Sequence, residues 1–240
     1  ARQWVFATIG WRVRARCTRY LRRRRAPTSR VRGIAGSRSA LSVLGQTLGM
    51  GFSRAELEGF IGATVADLVG SDVRLLFVGI NPGLWTAATQ THFSHPGNRF
   101  YPALFEAGII ERPIARGVAM SDEDRAYFLS RGLGISNIAH RATAKASELS
   151  VDELRAGGEQ LRVLVRQLRP RVVAVAGITA YRSAFRQPKA VIGEQPDGFE
   201  GQRLWVVPNP SGLNAHETTE SLAVAYRRAA IAAGVVGGDN

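Results

Sequence analysis

The stretch that decides the fold is Val73-Arg74-Leu75-Leu76-Phe77-Val78, followed directly by Gly79-Ile80-Asn81-Pro82-Gly83. A short apolar run that ends in a turn of glycine, asparagine and proline is typical of a buried parallel strand and the loop after it. About 130 residues further on, residues 204–207 precede a similar turn, Asn209-Pro210-Ser211-Gly212-Leu213-Asn214. Because ligands bind at the carboxyl ends of the strands in an open α/β sheet, the two turns predict the two sides of a single pocket.

Other segments alternate between helical and strand patterns. Ser53 and Glu56 form a capping box that predicts the start of a short helix. Helical spacing of apolar residues and short apolar runs predict helices over residues 98–107, 121–131, 150–168, 179–185 and 218–233, and strands over residues 172–176 and 204–207. Strands that alternate with helices indicate an α/β fold, a three-layer α/β/α sandwich around a central, mainly parallel sheet.

Composition excludes several classes of protein. The 240 residues allow one large domain, or one domain with a tail, and an apolar content of 45% suffices for a buried core. No run of about 18 apolar residues is present, so no membrane span is expected. Cys17 is the single cysteine, which excludes an internal disulfide and a cysteine metal cluster. His92, His95, His140 and His216 are scattered without a familiar metal-binding spacing, so we expect no metal and no cofactor.

The net charge of +13 is concentrated in one segment. Residues 1–50 contain twelve arginines, no lysine and no acidic residue, so this segment carries +12 and the rest of the chain carries +1. Like charges repel and few apolar groups are available for burial, so we expect residues 1–50 to be a basic, disordered tail. The tail could tether the protein to nucleic acid, direct it to an organelle, or lie outside the working protein, with Met50 as the true start.

The first turn is suited to orienting a water molecule. Gly79 and Gly83 permit close backbone approach and positive φ values, and Pro82 stiffens the loop. The side-chain amide of Asn81 can accept from a water and donate to a ligand, but it does not titrate and cannot act as a strong base. A reaction here must therefore need an oriented water more than a deprotonated one. Taken alone, however, the pentapeptide is better explained as an ordinary turn.

Two further residues are candidate contacts to nucleic acid. Phe93 lies between two histidines and can stack on a flat base, although a single phenylalanine more often packs in the core. Leu213 is an apolar tip among the polar residues of the second turn. Such a tip can be pushed between the base steps of a duplex, or it can fold back into the core. Asn98 is expected to cap the helix that follows it.

Three ordered blocks resemble a known family. Residues 79–83, then Phe93-Ser94-His95-Pro96-Gly97-Asn98-Arg99-Phe100, then residues 209–213 resemble the mismatch-specific uracil/thymine-DNA glycosylases, the Mug/TDG branch of the uracil-DNA glycosylase superfamily. The order and separation of the blocks match as well. The resemblance implies a uracil-DNA glycosylase-like catalytic domain over residues 53–236, with residues 1–50 outside it. The iron–sulfur cluster of some related branches is excluded, because the one cysteine lies in the tail.

The resemblance implies roles for individual residues. Asn81 matches the asparagine that positions the attacking water near the sugar C1′, and Phe93 matches the aromatic residue that stacks on the extruded base. Thr86 falls where this branch has a small or hydroxyl residue lining the pyrimidine pocket. Ile80 and the backbone around Phe93 and Ser94 would help to bind the edge of the base.

The second turn matches a loop that enters the duplex. Gly212, Leu213 and Asn214 would fill the gap left by the extruded base and contact the opposing guanine. Ser211 and His140 are further candidate DNA contacts. Two residues depart from the best-known bacterial member: Ala215 replaces an arginine, which would weaken one contact to the opposite strand, and His140 replaces an aspartate.

The function implied by the resemblance is that of a monofunctional DNA glycosylase. The target base must be flipped out, because its glycosidic bond is inaccessible within a duplex, and a mispaired base costs less to extrude. If the C1′–N1 bond largely breaks before water arrives, an oriented water suffices for the attack. The expected substrate is double-stranded DNA with uracil opposite guanine, with thymine and etheno-cytosine as further candidates. No lysine stands at either turn, so no Schiff-base lyase activity is expected.

Two other classes of function stay open. A non-catalytic DNA-lesion-binding protein would use the same pocket and loop without turnover. A small-molecule nucleotide-binding α/β protein is disfavoured by the lack of a G-x-x-x-x-G-K-[ST] or G-x-G-x-x-G motif. The resemblance further implies a bacterial cytoplasmic protein, associated with the nucleoid, that acts as a monomer and has no membrane partner.

Overall fold

A five-stranded sheet forms the centre of the computed structural model, which describes residues 51–238. The predictions for residues 1–50 therefore lie outside the described residues. The strands are β1 (Leu75–Gly79), β2 (Leu133–Asn137), β3 (Val172–Ala176), β4 (Gly193–Phe199) and β5 (Gln202–Val207). Their order across the sheet is β2-β1-β3-β5-β4, and every neighbouring pair is parallel except β4 and β5. The predicted α/β fold with a mainly parallel sheet is confirmed.

Helices cover both faces of this sheet. In the described part of the chain they are α1 (Arg54–Glu58), α2 (Leu84–Thr89), α3 (Phe100–Glu106), α4 (Asp122–Ser130), α5 (Val151–Leu168), α6 (Ile178–Phe185) and α7 (Thr219–Ala233), with a 3₁₀ turn at Ala146–Glu148. None of the helices among residues 51–238 combines the length and the apolar character needed to cross a membrane.

Alternate residues of β1 face opposite layers of the sandwich. Leu75 and Phe77 belong to the core that contains α3, α4 and α7, whereas Leu76 and Val78 belong to the core that contains α5 and α6. All four side chains are fully buried. A strand directs successive side chains to opposite faces, so a strand that is covered on both faces must be apolar throughout.

The helix starts follow the sequence signals closely. Ser53 and Glu56 form the predicted capping box of α1, and Ser150 with Glu153 forms another at the start of α5. The Oδ1 of Asn98 accepts from the backbone N–H of Phe100 at 2.9 Å, although the residue directly before α3 is Arg99. Asn98 therefore accepts from an N–H at the start of α3, as predicted, although it lies one residue before the N-cap position.

Three elements were not predicted from the sequence, namely β2, α2 and β4. The sequence of β2, Leu-Gly-Ile-Ser-Asn, mixes glycine and polar residues and lacks the continuous apolar run of the other parallel strands. Helix α2 is short and rich in threonine, which favours neither state strongly. Strand β4 contains Pro196 and Asp197, and such a strand is possible because it lies at the edge of the sheet and pairs only with β5.

Helix α5 packs closely at Gly157 on the segment that follows β2. A Cβ atom built on Gly157 would lie 1.9 Å from the carbonyl oxygen of Ile138, a distance that no real contact allows. Gly157→Ala must therefore push α5 away from the segment that follows β2. We expect a loss of about 1–3 kcal/mol in the free energy of unfolding, measured with urea, despite the higher helix propensity of alanine.

The control for this variant is Gly237→Ala, because a Cβ at Gly237 meets no atom within 4 Å. Its urea midpoint should equal that of the wild type. An unchanged midpoint for Gly157→Ala would contradict the close packing of α5 on Ile138.

Candidate active site

The two predicted turns meet at the carboxyl ends of β1, β3 and β5. The chain passes from β1 to β2 on one side of β1 and later to β3 on the other. In open α/β sheets, ligands bind beyond the carboxyl ends of strands where the order reverses in this way. Gly177, directly after β3, lies between the turns. A Cβ built on Gly177 would lie 3.3 Å from Cδ1 of Ile80 and 3.8 Å from Cβ of Asn209. Residues of the two turns are thus brought to one place, across Gly177.

The first turn is held by the segment that follows β2. The backbone oxygens of Gly79, Ile80 and Pro82 accept from N–H groups of residues 138–143, at 2.9, 2.9 and 3.2 Å. A separate parallel bridge joins Gly83 to Thr143, so the two segments stay in contact beyond the ends of β1 and β2. The first turn is therefore a fixed part of the sheet edge.

The side chain of Asn81 is oriented by three acceptors. Its Nδ2 donates to the carbonyl oxygens of Pro82 and Arg141, at 3.1 and 3.0 Å, and to Oγ1 of Thr143 at 2.7 Å. Because a carbonyl oxygen can only accept, the nitrogen of the amide must face this side. No donor among residues 51–238 reaches Oδ1 of Asn81 within hydrogen-bond distance. The oxygen is left to accept from a water, whereas the predicted donation from Asn81 to a ligand is not supported, since its N–H groups are occupied.

Further hydrogen bonds hold in place two of the residues that accept from Asn81. Thr143 Oγ1 donates onward to the carbonyl oxygen of Lys145 at 2.8 Å. The guanidinium of Arg141 donates to both carboxylate oxygens of Glu153, at 2.7 and 3.2 Å, next to the start of α5. The Arg141 hydrogen bond, together with the backbone N–H of Ser150, lowers the pKa of Glu153 to about 2. This carboxylate therefore remains charged at all moderately acidic and neutral pH values, and α5 helps to fix the residues that anchor Asn81.

The two glycines of the first turn have different functions from those predicted. Neither Gly79 nor Gly83 has a positive φ, so the positive φ values that glycine permits are not used at either position. Strand β1 continues through Gly79, and Gly83 precedes α2 in an extended conformation. The predicted close approach occurs at Gly79 alone, where a Cβ would lie 2.5 Å from Oδ1 of Asn137 and 3.2 Å from Cζ of Phe93. A Cβ at Gly83 would meet no atom within 4 Å.

Phe93 is half-buried beside the first turn. Its ring stacks on Phe100, with centroids 4.1 Å apart and planes inclined by 25°, and its edge lies against Gly79. One face of the ring is therefore packed on the core, so core packing accounts for part of its environment. The backbone φ of Phe93 is 55°, which is uncommon for a bulky residue, and such conformations cluster at functional sites.

Asn137, the last residue of β2, is a candidate site residue that sequence reasoning missed. It is 4% exposed. Its Nδ2 lies 3.2 Å from Nδ1 of His92, and its Oδ1 lies beside Gly79 and the edge of the Phe93 ring. An asparagine at the carboxyl end of a central parallel strand is a candidate ligand contact. Recognition of β2 as a strand would have revealed it.

The other predicted base-binding residues have different surroundings. Thr86 is buried in α2. Ser94 is fully buried, and its hydroxyl lies 2.6 Å from Oγ1 of Thr89. The Ser94 hydroxyl is thus already hydrogen-bonded inside the protein. A contact to a base from Ser94 would therefore come from its backbone, as predicted, and not from its side chain. The side chain of Ile80 lies against Gly177, between the two turns.

The second turn forms an exposed loop, here called the wedge loop (residues 209–214). Leu213 at its tip is 89% exposed, so the alternative that it folds back into the core is wrong. Arg99 donates to the carbonyl oxygens of Ser211 and Asn214, at 2.7 Å each, and to that of Glu217. One guanidinium therefore fixes the shape of the loop while its apolar tip faces solvent.

His140 lies beside Asp67. Its Nδ1 is 4.0 Å from Oδ1 of Asp67, which belongs to the segment before β1. Ser211 instead stabilises the loop itself, because its Oγ accepts from the N–H of Leu213 at 3.3 Å. Across residues 51–238, no group of three or more His, Cys, Asp or Glu side chains is placed to hold a metal ion.

Comparison with known proteins defines the class to which this fold and site belong. A family model described as the uracil DNA glycosylase superfamily matches residues 66–231. The match covers well over half of the sequence, and the chain belongs to this superfamily. The protein is accordingly a DNA glycosylase, a hydrolase that acts on N-glycosyl bonds.

Solved structures are also similar, and one of them serves as an example. It is the solution NMR structure of a candidate uracil DNA glycosylase from Methanosarcina acetivorans, with 18% sequence identity and a TM-score of 0.48. The similarity covers 70% of this chain and 97% of that chain.

Proposed function

We propose that this glycosylase removes uracil that is mispaired with guanine in double-stranded DNA, and so begins base excision repair. Thymine and etheno-cytosine opposite guanine are further candidate substrates. The observation that carries the proposal is the orientation of Asn81, whose nitrogen is anchored by three acceptors while its oxygen is left free at the end of β1. This arrangement orients a water without removing its proton.

The proposed reaction follows from this limit on Asn81. The extruded base stacks on Phe93, and the C1′–N1 bond breaks with its electron pair moving to the base, which leaves as an anion. The water held by Asn81 Oδ1 then adds to C1′ and releases its proton to solvent. Because an amide does not titrate, the bond must be largely broken before the water attacks.

A preference for mismatches is supported by the wedge loop and by the cost of extrusion. A mispaired base is less costly to unpair, which by itself favours its excision. Leu213 is exposed at the tip of a loop of fixed shape, where it can enter the gap left in the duplex. Asn214 and the backbone around Gly212 would then face the opposing guanine. Ala215 offers no charged contact there, and His140 and Ser211 stay candidate DNA contacts.

The remaining organisation is proposed as follows. Residues 53–236 form the catalytic domain, and residues 1–50 are a basic tail that the chemistry does not need. The domain acts as a monomer in the bacterial cytoplasm, close to the nucleoid. Mass measurement of the native protein would show whether residues 1–49 belong to it.

A panel of labelled oligonucleotides tests the proposed function. Under single-turnover conditions, uracil should be released fastest from a G·U duplex and more slowly from an A·U duplex. Base release from G·T, G·etheno-cytosine and single-stranded uracil is measured in the same way and ranks the other candidate substrates. Borohydride should trap no covalent adduct, because a trapped adduct requires a lysine amine and no lysine stands at either turn. The hydrogen bond between Lys145 and Thr143 involves the backbone oxygen of Lys145 and not its amine. Tight binding of the G·U duplex without any base release would instead establish the alternative, a non-catalytic lesion-binding protein.

A further inference from the structure

The charge of the catalytic domain gives little general attraction to DNA. Outside residues 1–50 the chain carries a net charge of only +1. Many of its arginines are also paired with carboxylates, among them Arg112, Arg131, Arg141, Arg162 and Arg203. Proteins bind double-stranded DNA chiefly through its phosphates, so binding by this domain has to come from individual cations that are not already paired.

The wedge loop has no cation of its own for this purpose. Residues 209–214 contain neither lysine nor arginine, and the residue that follows them is Ala215. Arg99 does reach the loop, but its guanidinium donates inward to three carbonyl oxygens in and beside the loop. A phosphate that lies next to the wedge loop therefore needs a cation from another segment.

The segment between α3 and α4 supplies a candidate. It consists of residues 112–120 and is here called the rim segment. The backbone N–H of Gly117 donates to the carbonyl oxygen of Ser94 at 2.6 Å. The side chains of Ile114 and Met120 are buried on either side of this contact. The rim segment is thus fixed against the stretch that is predicted to bind the base.

Arg116 is exposed on the rim segment and contacts the neighbourhood of the wedge loop. Its Nη1 donates to the carbonyl oxygen of Asn98 at 2.6 Å. The preceding carbonyl oxygen, that of Gly97, lies 2.6 Å from the position of a Cβ built on Gly212 in the wedge loop. The hydrogen bond to Asn98 therefore holds the Arg116 guanidinium one residue away from a direct contact with the wedge loop.

The charge of Arg116 is not neutralised by the domain. Among the residues that the structure describes, no carboxylate forms an ion pair with its guanidinium. A guanidinium has five N–H donors in a planar fork, and the contact to Asn98 uses Nη1. The remaining donors can bind the oxygens of a phosphate, for which this fork is well suited.

We propose that Arg116 binds a phosphate of the DNA backbone beside the point where the wedge loop enters the duplex. The inference rests on the proposed function, since it takes the wedge loop as the part that enters DNA. Phosphate contacts fix the register of a protein on a duplex without reading its sequence. Arg116 would thus hold the duplex in place while Leu213 is inserted.

The salt dependence of duplex binding tests this role. The probe is a labelled G·U duplex whose uracil nucleotide carries a 2′-fluorine, which prevents cleavage, and an undamaged duplex is measured beside it. In Arg116→Gln, the slope of log affinity against log salt concentration should become shallower by about 0.9, the loss of one phosphate contact. Arg116→Lys keeps the charge, so its slope should stay close to that of the wild type.

The matched control is Arg171→Gln. Arg171 is also exposed, and its Nη1 likewise donates to a backbone oxygen, that of Ala233, at 3.5 Å. It lies directly before β3, at the amino end of that strand and so on the far side of the sheet from the two turns. Its salt slope should equal that of the wild type.

Two results would overturn the proposal. One is a salt slope in Arg116→Gln equal to that of the wild type, and a loss of uracil excision with such an unchanged slope would mean that Arg116 only supports the backbone of Asn98. The other is an equal change of slope in Arg171→Gln. Equal affinity of the wild type for both duplexes would contradict the proposed mismatch preference instead, and the slopes would still decide the role of Arg116.

Discussion

Asn81→Ala should reduce the rate of uracil release by roughly 100- to 1,000-fold, the scale on which enzymes lose rate when a group that positions a reactant is removed. Single-turnover excision from a G·U duplex measures this loss. The affinity for the duplex should change little, because the proposed role of Asn81 is to orient water at the sugar and not to bind the DNA backbone. The variant also leaves the oxygens of Pro82, Arg141 and Thr143 without their shared donor, so its folding must be checked by thermal unfolding.

A matched control separates positioning from folding. Thr143→Val keeps the shape of the side chain and removes the hydroxyl, which accepts from Asn81 and donates to the carbonyl oxygen of Lys145. We expect a smaller loss of rate, about tenfold, with the duplex affinity unchanged. Asn81→Asp would turn a carboxylate toward two carbonyl oxygens, so it should not improve on asparagine in this chain. Full activity in Asn81→Ala would refute the assignment of the water to this residue.

Arg99→Lys should separate base extrusion from bond cleavage. The planar guanidinium reaches three carbonyl oxygens in and beside the wedge loop, and the single ammonium of lysine cannot reproduce that geometry. The loop should therefore lose its fixed shape, and the proposed insertion of Leu213 into the duplex should lose its defined position. We expect excision from G·U and A·U duplexes to fall by about tenfold or more, and excision from uracil in a short unpaired bubble to change little.

The control for this effect is Leu213→Ala, which removes the tip and keeps the loop. Because Leu213 is 89% exposed, this change should leave stability within about 0.5 kcal/mol of the wild type. As in Arg99→Lys, its excision rate should fall on the G·U and A·U duplexes and change little on the unpaired bubble. An equal loss on duplex and bubble in Arg99→Lys would mean that Arg99 acts on the pocket and not through the wedge loop.

The parts of the fold with strong local signals were predictable. Strand β3 has the predicted bounds, since a run of valine and alanine between Pro170 and Gly177 leaves little alternative. The start of α5 followed from the capping box at Ser150. The two turns were recognisable because glycine and proline mark strand ends strongly.

The parts that depend on tertiary contacts were not predictable in the same way. Strand β2 is stabilised by its pairing with β1 and by burial, and its own residues do not favour a strand. Asn137 and the His92 contact depend on that pairing, so no local pattern reveals them. Similarly, nothing near Gly79 indicates that its lack of a side chain makes room for Asn137 and Phe93.

The position of Gly177 has a consequence for the synthesis and folding of the enzyme. Ile80 and Asn209 meet there from parts of the chain that are about 130 residues apart, and β3 separates them. During synthesis the first turn leaves the ribosome long before the wedge loop exists. A nascent or truncated chain that ends before β5 contains Asn81, the proposed water-orienting residue, but lacks the wedge loop that is proposed to enter the duplex. Release of a base from duplex DNA should therefore require the finished fold, because contacts so distant in sequence form late.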